Sequence, residues 1–200
     1  MPVSPITLFF DFSSPYSYLA SRVIEDLAAR HDRGIEWVPM LLGPVFASTG
    51  SRPLVEQPLK GPYALIDIQR SARYYGVPYR HPSPFPIATH QAARVTVALQ
   101  QQRPERALPW IHAVFDAYFT QQRNVGDMDV LHAVGGDLGL EAAQIDAWCG
   151  DAQIKAALKA NVDRALDSGV CGAPFFVVDG EPFWGVDRLP QLERWLQARF

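Results

Sequence analysis

Sulfur is scarce in this chain. Cys149 and Cys171 are the only cysteines among 200 residues, so no Cys-x-x-Cys pair exists to exchange disulfides, and neither a disulfide framework nor a thiolate metal site is indicated. A reducing, cytoplasmic setting is the expectation. No Lys or Arg precedes the first apolar stretch, which Asp11 closes early, and nowhere do about 18 apolar residues run together, so neither a secretory signal nor a membrane span is expected. Basic runs are also missing. With 18 basic and 21 acidic residues and a formal charge of -3, the chain offers no track for a phosphate backbone, which argues against nucleic acid as a partner. His31, His81, His90, His112 and His132 are scattered without ligand spacing, so no metal is expected. Without a Gly-x-Ser-x-Gly elbow there is no serine-hydrolase nucleophile.

The remainder describes a folded chain: 48% of residues are apolar, 12% aromatic and 20% charged. The length suits a single compact domain of about 150 residues carrying one large insertion. Ile6 to Phe12 is a β-branched and aromatic run. Ser13-Ser14-Pro15 follows it, and then Tyr18, Leu19, Val23, Leu27 and Ala28 recur at helical spacing. His31 and Asp32 stand at that helix's end, where His31 reads as a C-terminal cap. After Gly34 a second apolar run, Ile35 to Leu42, completes a β-α-β unit whose strands should be parallel.

Strand signals then vanish. Gly43 to Pro62, with four prolines, reads as a surface loop. Helical patterns cover Tyr63–Tyr75, Ile87–Gln102, Pro104–Thr120, Met128–Leu138 and Glu141–Trp148, an all-helical insertion spanning 44–150. From 151 onward Ile154, Leu158, Val162 and Leu166 form one apolar stripe on a helix over Asp151–Asp167. Phe175–Val178, the turn Asp179-Gly180 and a strand through Phe183-Trp184 make a hairpin, and Leu189–Ala198 a closing helix. The order β-α-β, helical insert, α-β-β-α is an α/β, thioredoxin-like arrangement of the DsbA kind, with 1–43 and 151–200 forming the α/β unit.

In redox members of that fold a Cys-x-x-Cys pair lies between the first strand and its helix, and here the slot reads Ser14-Pro15-Tyr16-Ser17. Hydroxyls cannot exchange disulfides. Pro15 suits the first helical position, which makes Ser14 the N-cap. A helix N-terminus presents unpaired N–H groups and a partial positive charge, so a hydroxyl there could hold a thiolate brought by a cofactor, lowering its pKa from about 8.5. Taken alone, Ser14 is a plain cap, Asp187-Arg188 a capping pair before the last helix, and Lys60 solvated surface.

Longer stretches change that balance. The run Phe10-Asp11-Phe12-Ser13-Ser14-Pro15-Tyr16-Ser17-Tyr18-Leu19-Ala20 resembles the opening motif of the 2-hydroxychromene-2-carboxylate isomerases and of the related kappa-class glutathione transferases. Gly172-Ala173-Pro174 through Trp184-Gly185-Val186-Asp187-Arg188-Leu189 resembles their second signature. Lys60-Gly61-Pro62-Tyr63, Asp67-Ile68-Gln69-Arg70 and Tyr75-Gly76-Val77-Pro78 match in order and spacing between them.

The resemblance implies glutathione as cofactor, a small aromatic carboxylate as substrate, and a homodimer. Ser14 would hydrogen-bond the glutathione sulfur as the catalytic residue, and Ala173, before a cis Pro174, would pair with the cysteinyl backbone. Trp184, Gly185, Val186 and Asp187 would receive the γ-glutamyl end, with Asp187 accepting from its ammonium group. Lys60, Ser51 and Arg52 would meet the far end of the cofactor and the substrate, and Ala88 the substrate. Relatives often carry Asn at the positions of Ser51 and Ala88, Asn or Ser at Val186 and Thr at Phe175, so polar contacts are remodelled here. Cys171, three residues before Pro174, would lie near the cofactor sulfur. Three functions stay open: a glutathione-dependent isomerase, a kappa-like transferase conjugating a hydrophobic electrophile, and a non-catalytic glutathione or peptide binder.

Overall fold

The sheet is assembled around its first strand. In the computed structural model, which describes residues 4–198, β1 (Ile6–Phe10) pairs in parallel with β2 (Ile35–Pro39) and antiparallel with β3 (Phe175–Val178). Strand β3 in turn pairs antiparallel with β4 (Glu181–Trp184), giving the order β2-β1-β3-β4. The joining turn places Asp179 at φ 51° and Gly180 at φ 86°, a pair of left-handed residues that matches the twist of a two-residue hairpin. Arg33 fixes it with two bonds of 2.9 and 2.7 Å to the Asp179 carboxylate.

Both sheet faces are covered, which is why β1 reads as an unbroken apolar run rather than an alternating one. Ile6, Leu8 and Phe10 enter a large apolar cluster with α1 (Pro15–Arg30), α4 (His90–Gln102) and α5 (Pro104–Phe119). Phe9 faces the other way, toward Val45 of α2 (Leu42–Thr49) and Val162 and Ala165 of α8 (Ala152–Asp167). The stripe expected on α8 is divided between these faces: Ile154 and Leu158 join the large cluster and Val162 the small one. Helices α3 (Lys60–Tyr75), α6 (Met128–Asp137), α7 (Ala142–Gly150) and α9 (Leu189–Leu196) complete the described elements. His31 caps α1, its N–H reaching the Ala28 and Ala29 carbonyls. Among the described residues no helix is long and apolar enough to cross a membrane.

The segment 43–62 departs from the expected loop. Leu42–Thr49 is helical and closes at Gly50 with φ 65°, and Leu54–Glu56 forms a 3-10 turn. Its prolines hid this: Pro44 lies in the first turn of α2, where a missing N–H costs nothing, and fully buried Val45 anchors the helix beneath. Helix α4 begins at His90 rather than Ile87. Strands β1 and β2 end before Phe12 and Leu42, because Asp11 turns its side chain to bind the Leu42 N–H instead of continuing the ladder.

A charged clamp ties α8 to β2. Both Arg164 Nη atoms lie 2.6 Å from the Glu36 carboxylate, and the Thr7 hydroxyl donates to it at 2.8 Å. Arg164 foremost holds the Glu36 carboxyl below its ordinary value. The clamp's contribution is therefore complete above pH 4.5, the ordinary value, and is lost as the pH falls through the folded-state value. Glu36→Gln should cost about 1 kcal/mol at neutral pH, a half-exposed pair being worth little more. The difference from wild type should shrink to nothing in strong acid, as urea unfolding at both pH values would measure.

Candidate functional site

Everything from Asp11 to Ser17 is set by one buried carboxylate and one helix start. Asp11 Oδ1 accepts the Ser13 N–H at 2.8 Å and the Thr89 hydroxyl at 2.7 Å, while Oδ2 accepts the Leu42 N–H at 2.7 Å. Burial raises the Asp11 pKa, and these hydrogen bonds pull it back. Ser13 passes the constraint on, its Oγ accepting the Ile87 N–H at 3.2 Å. Three chain segments are thus gathered around the start of α1.

Ser14 is the N-cap of that helix, extended at φ -91° and ψ 113° and followed by Pro15. Its Oγ accepts the Ser17 N–H at 3.1 Å and donates to the Ala173 carbonyl at 2.8 Å, joining the two signature segments across 159 residues. The Ala173–Pro174 bond is cis. Ser17, where a redox relative would carry its second sulfur, is fully buried, and its hydroxyl has no hydrogen-bond partner among the described residues. Ser17→Ala should therefore stabilise the fold by about 1 kcal/mol; a fall in the urea midpoint would contradict this.

These residues open onto a cavity of about 810 Å³ lined by both the sheet end and the helices. Of the residues singled out in the sequence, Ser14, Ala173, Trp184, Gly185, Val186, Asp187, Ser51, Arg52 and Lys60 all line it. Pro174 is buried behind the wall, and Ala88 is exposed outside it. The neighbour of Ala88, Ile87, lines the cavity instead, since the Ser13 bond turns the backbone inward one residue earlier. Gly185 takes φ 105°, and a side chain there would meet Asp187 Oδ1 at 2.5 Å. The Val186 carbonyl already accepts the Tyr75 hydroxyl at 2.8 Å, which leaves the exposed Asp187 carboxylate as the acidic group of that segment. Lys60 begins α3, Arg52 follows the end of α2, and Arg188, its Nη1 3.3 Å from Asp187 Oδ2, adds a third cation to the wall.

The wall has further members to which the sequence motifs assign no role. The Tyr16 hydroxyl donates to Asp67 Oδ2 at 2.8 Å, and Tyr63 reaches Oδ1 at 3.4 Å. Burial first, and then Asp67, push the Tyr16 hydroxyl far above its ordinary pKa, so it stays a donor. Tyr79 and His81 also line the cavity, their Oη and Nδ1 atoms 2.8 Å apart. Cys171, singled out in the sequence three residues before Pro174, lies on the wall as well, but burial pushes its thiol up, away from thiolate character. A site with a hydroxyl at a helix N-terminus and cations on its wall has the chemistry to hold an anion at the helix end and carboxylates beside it.

Comparison with known proteins agrees with this architecture. The DSBA-like thioredoxin domain family matches residues 5–197. A 2-hydroxychromene-2-carboxylate isomerase of Sphingobium xenophagum is 29% identical over 196 residues, covering 96% of this chain and 97% of its own. Glutathione S-transferase kappa 1 of Caenorhabditis elegans is 28% identical over 214 residues, covering 98% and 93% respectively. Among solved structures, a 2-hydroxychromene-2-carboxylate isomerase superposes with a TM-score of 0.85 at 22% identity, covering 96% of this chain and 94% of its own.

Proposed function

Since this chain belongs to the DSBA-like thioredoxin domain family yet carries Ser14 and Ser17 where disulfide exchange would need sulfur, we propose that it is a glutathione-dependent isomerase. Its substrate class would be aromatic-derived carboxylic acids such as 2-hydroxychromene-2-carboxylate, which react through their ring-opened, conjugated keto-acid form. The observation that carries the reading is the Ser14 hydroxyl, held at the N-terminus of α1 on the cavity wall and bonded to the Ala173 carbonyl. Relatives of both isomerase and kappa-transferase type, each matched over nearly the whole chain, support it.

The residues present fit a tripeptide thiol. The Ser14 proton that now rests on the Ala173 carbonyl turns to the sulfur when one is offered, and the carbonyl is freed to accept a cysteinyl N–H as an added strand would. The helix N-terminus favours the sulfur as an anion. Asp187 holds an ammonium group, and Arg52, Lys60 and Arg188 hold carboxylates of cofactor and substrate. Bound glutathione would supply a nucleophile that adds to a conjugated double bond, permits rotation and leaves again. The protein's share is to orient, to keep the thiolate and to limit water.

Titration of reduced glutathione at neutral pH, followed by tryptophan fluorescence and thiolate absorbance, tests the reading. Saturable binding with a thiolate band is expected, and absence of either result at millimolar glutathione sinks it. Isomerisation returns glutathione unconsumed, whereas conjugation consumes it. Stoichiometric loss of glutathione during turnover would replace the isomerase with the transferase.

A further inference from the structure

Between α3 and α4 the chain has no regular structure but is pinned along its length. The Tyr18 hydroxyl donates to the Pro78 carbonyl at 2.6 Å, the Arg80 N–H to the Phe119 carbonyl at 2.7 Å and Gln122 Nε2 to the His81 carbonyl at 3.1 Å. The Tyr118 hydroxyl donates to the Pro84 carbonyl at 2.8 Å, and the Ile87 N–H reaches Ser13 Oγ. A loop tied at this density holds its side chains in place before any ligand arrives.

Two of those side chains are spent on the cavity. Tyr79 stacks on Phe119 with ring centres 5.9 Å apart, and His81 meets Phe85 edge-on at 4.9 Å. Between them, the Tyr79 hydroxyl and His81 Nδ1 make a 2.8 Å hydrogen bond. Among the described residues His81 is the one imidazole on the cavity wall, and its Nε2 has no protein partner. Such a ring, oriented by one nitrogen and open at the other, is built to offer that second nitrogen to a ligand.

We propose that His81 is a further catalytic residue, its Nε2–H donating to the carbonyl oxygen of the conjugated aryl keto acid. This rests on the keto-acid reading of the cavity given above. The Tyr79 hydroxyl has no other acceptor among the described residues, so we assign it as the donor to Nδ1, which places the ring proton on Nε2. Burial lowers the His81 pKa, so at neutral pH the ring is an uncharged donor. As the double bond weakens, electron density moves onto the carbonyl oxygen, and the donor strengthens its bond there more than in the ground state. The proton stays on Nε2, and no covalent bond to the ring forms or breaks. The aromatic edge of Phe85 and the apolar wall at Ile87 receive the aryl group.

The test needs no glutathione. Benzylidenepyruvate, a conjugated aryl keto acid, should bind wild-type protein with a red shift of its absorption band as the carbonyl is polarised. His81→Phe should lose the shift, and His81→Gln, which keeps an N–H donor, should retain part of it. With glutathione present, His81→Phe should lower turnover about a hundred-fold. A full shift in His81→Phe, or none in the wild type, overturns the role, and thermal melts of both variants separate it from misfolding. A glutathione thiolate without any keto-acid shift would remove this role alone. A keto-acid shift without a thiolate would remove the cofactor reading alone.

Discussion

Ser14→Ala should abolish the thiolate band of bound glutathione at neutral pH and lower turnover about a hundred- to a thousand-fold, the usual effect of deleting one preorganised donor to a developing or standing anion. Affinity for glutathione should fall much less, because the backbone at Ala173, the Asp187 carboxylate and the cations of the wall are untouched. Stability should drop by about 1 kcal/mol, since the same hydroxyl caps α1 through the Ser17 N–H. Ser17→Ala is the matching control: it removes a neighbouring hydroxyl from the same turn but one that contacts neither the cavity nor a partner among the described residues. Turnover in Ser14→Ala within threefold of wild type would show that the helix N-terminus alone holds the anion. The serine would then be only a cap.

The legibility of this site followed sequence distance. Ser14, Ala173 and the stretch Trp184 to Asp187 lie in short contiguous motifs, each readable because a turn, a cap or a hairpin is a local matter. The partnership of Ser14 with Ala173 could be anticipated only through resemblance, as 159 residues separate them. Tyr16 with Asp67 and Asp11 with Thr89 lie 51 and 78 residues apart and carry no local signature. They are products of packing two helical layers against one sheet end. Tyr79 and His81 are close in sequence, yet a proline-rich stretch offers no periodicity from which to infer that both side chains face inward. The helix at Leu42–Thr49 was obscured for the related reason that Gly43 and Pro44 suppress helical propensity where only tertiary burial of Val45 compensates. Ala88 shows the opposite failure: its motif position was readable, but a single hydrogen bond from Ile87 to Ser13 decides which residue faces the cavity.

Asp11→Ala should cost about 3 kcal/mol, a large part of the about 5 to 15 kcal/mol that stabilises a typical domain. Its carboxylate satisfies the Ser13 and Leu42 N–H groups and the Thr89 hydroxyl, and removing it leaves those donors buried without an acceptor. The damage would also reach the chemistry, because the same bonds set where Ser13 meets Ile87 and where α2 begins along the cavity. Asp11→Asn is the informative companion. It keeps one acceptor oxygen and puts an amide N–H against one of the former donors, so about 1 to 3 kcal/mol should be lost at neutral pH. The pH dependence has the opposite sign to that of Glu36. Burial raises the Asp11 pKa above its ordinary 3.8, so the native state takes up this proton before the unfolded chain does. As the pH falls through the folded-state value toward 3.8 the wild type gains stability from this group that Asp11→Asn cannot gain. The gap between the two proteins should therefore widen as the pH falls toward 3.8, whereas the gap for Glu36→Gln, intact above pH 4.5, closes only in stronger acid. Urea unfolding of the three proteins across that range measures both trends, and an Asp11→Asn gap that narrows with acid would mean that the three hydrogen bonds outweigh burial at this carboxylate.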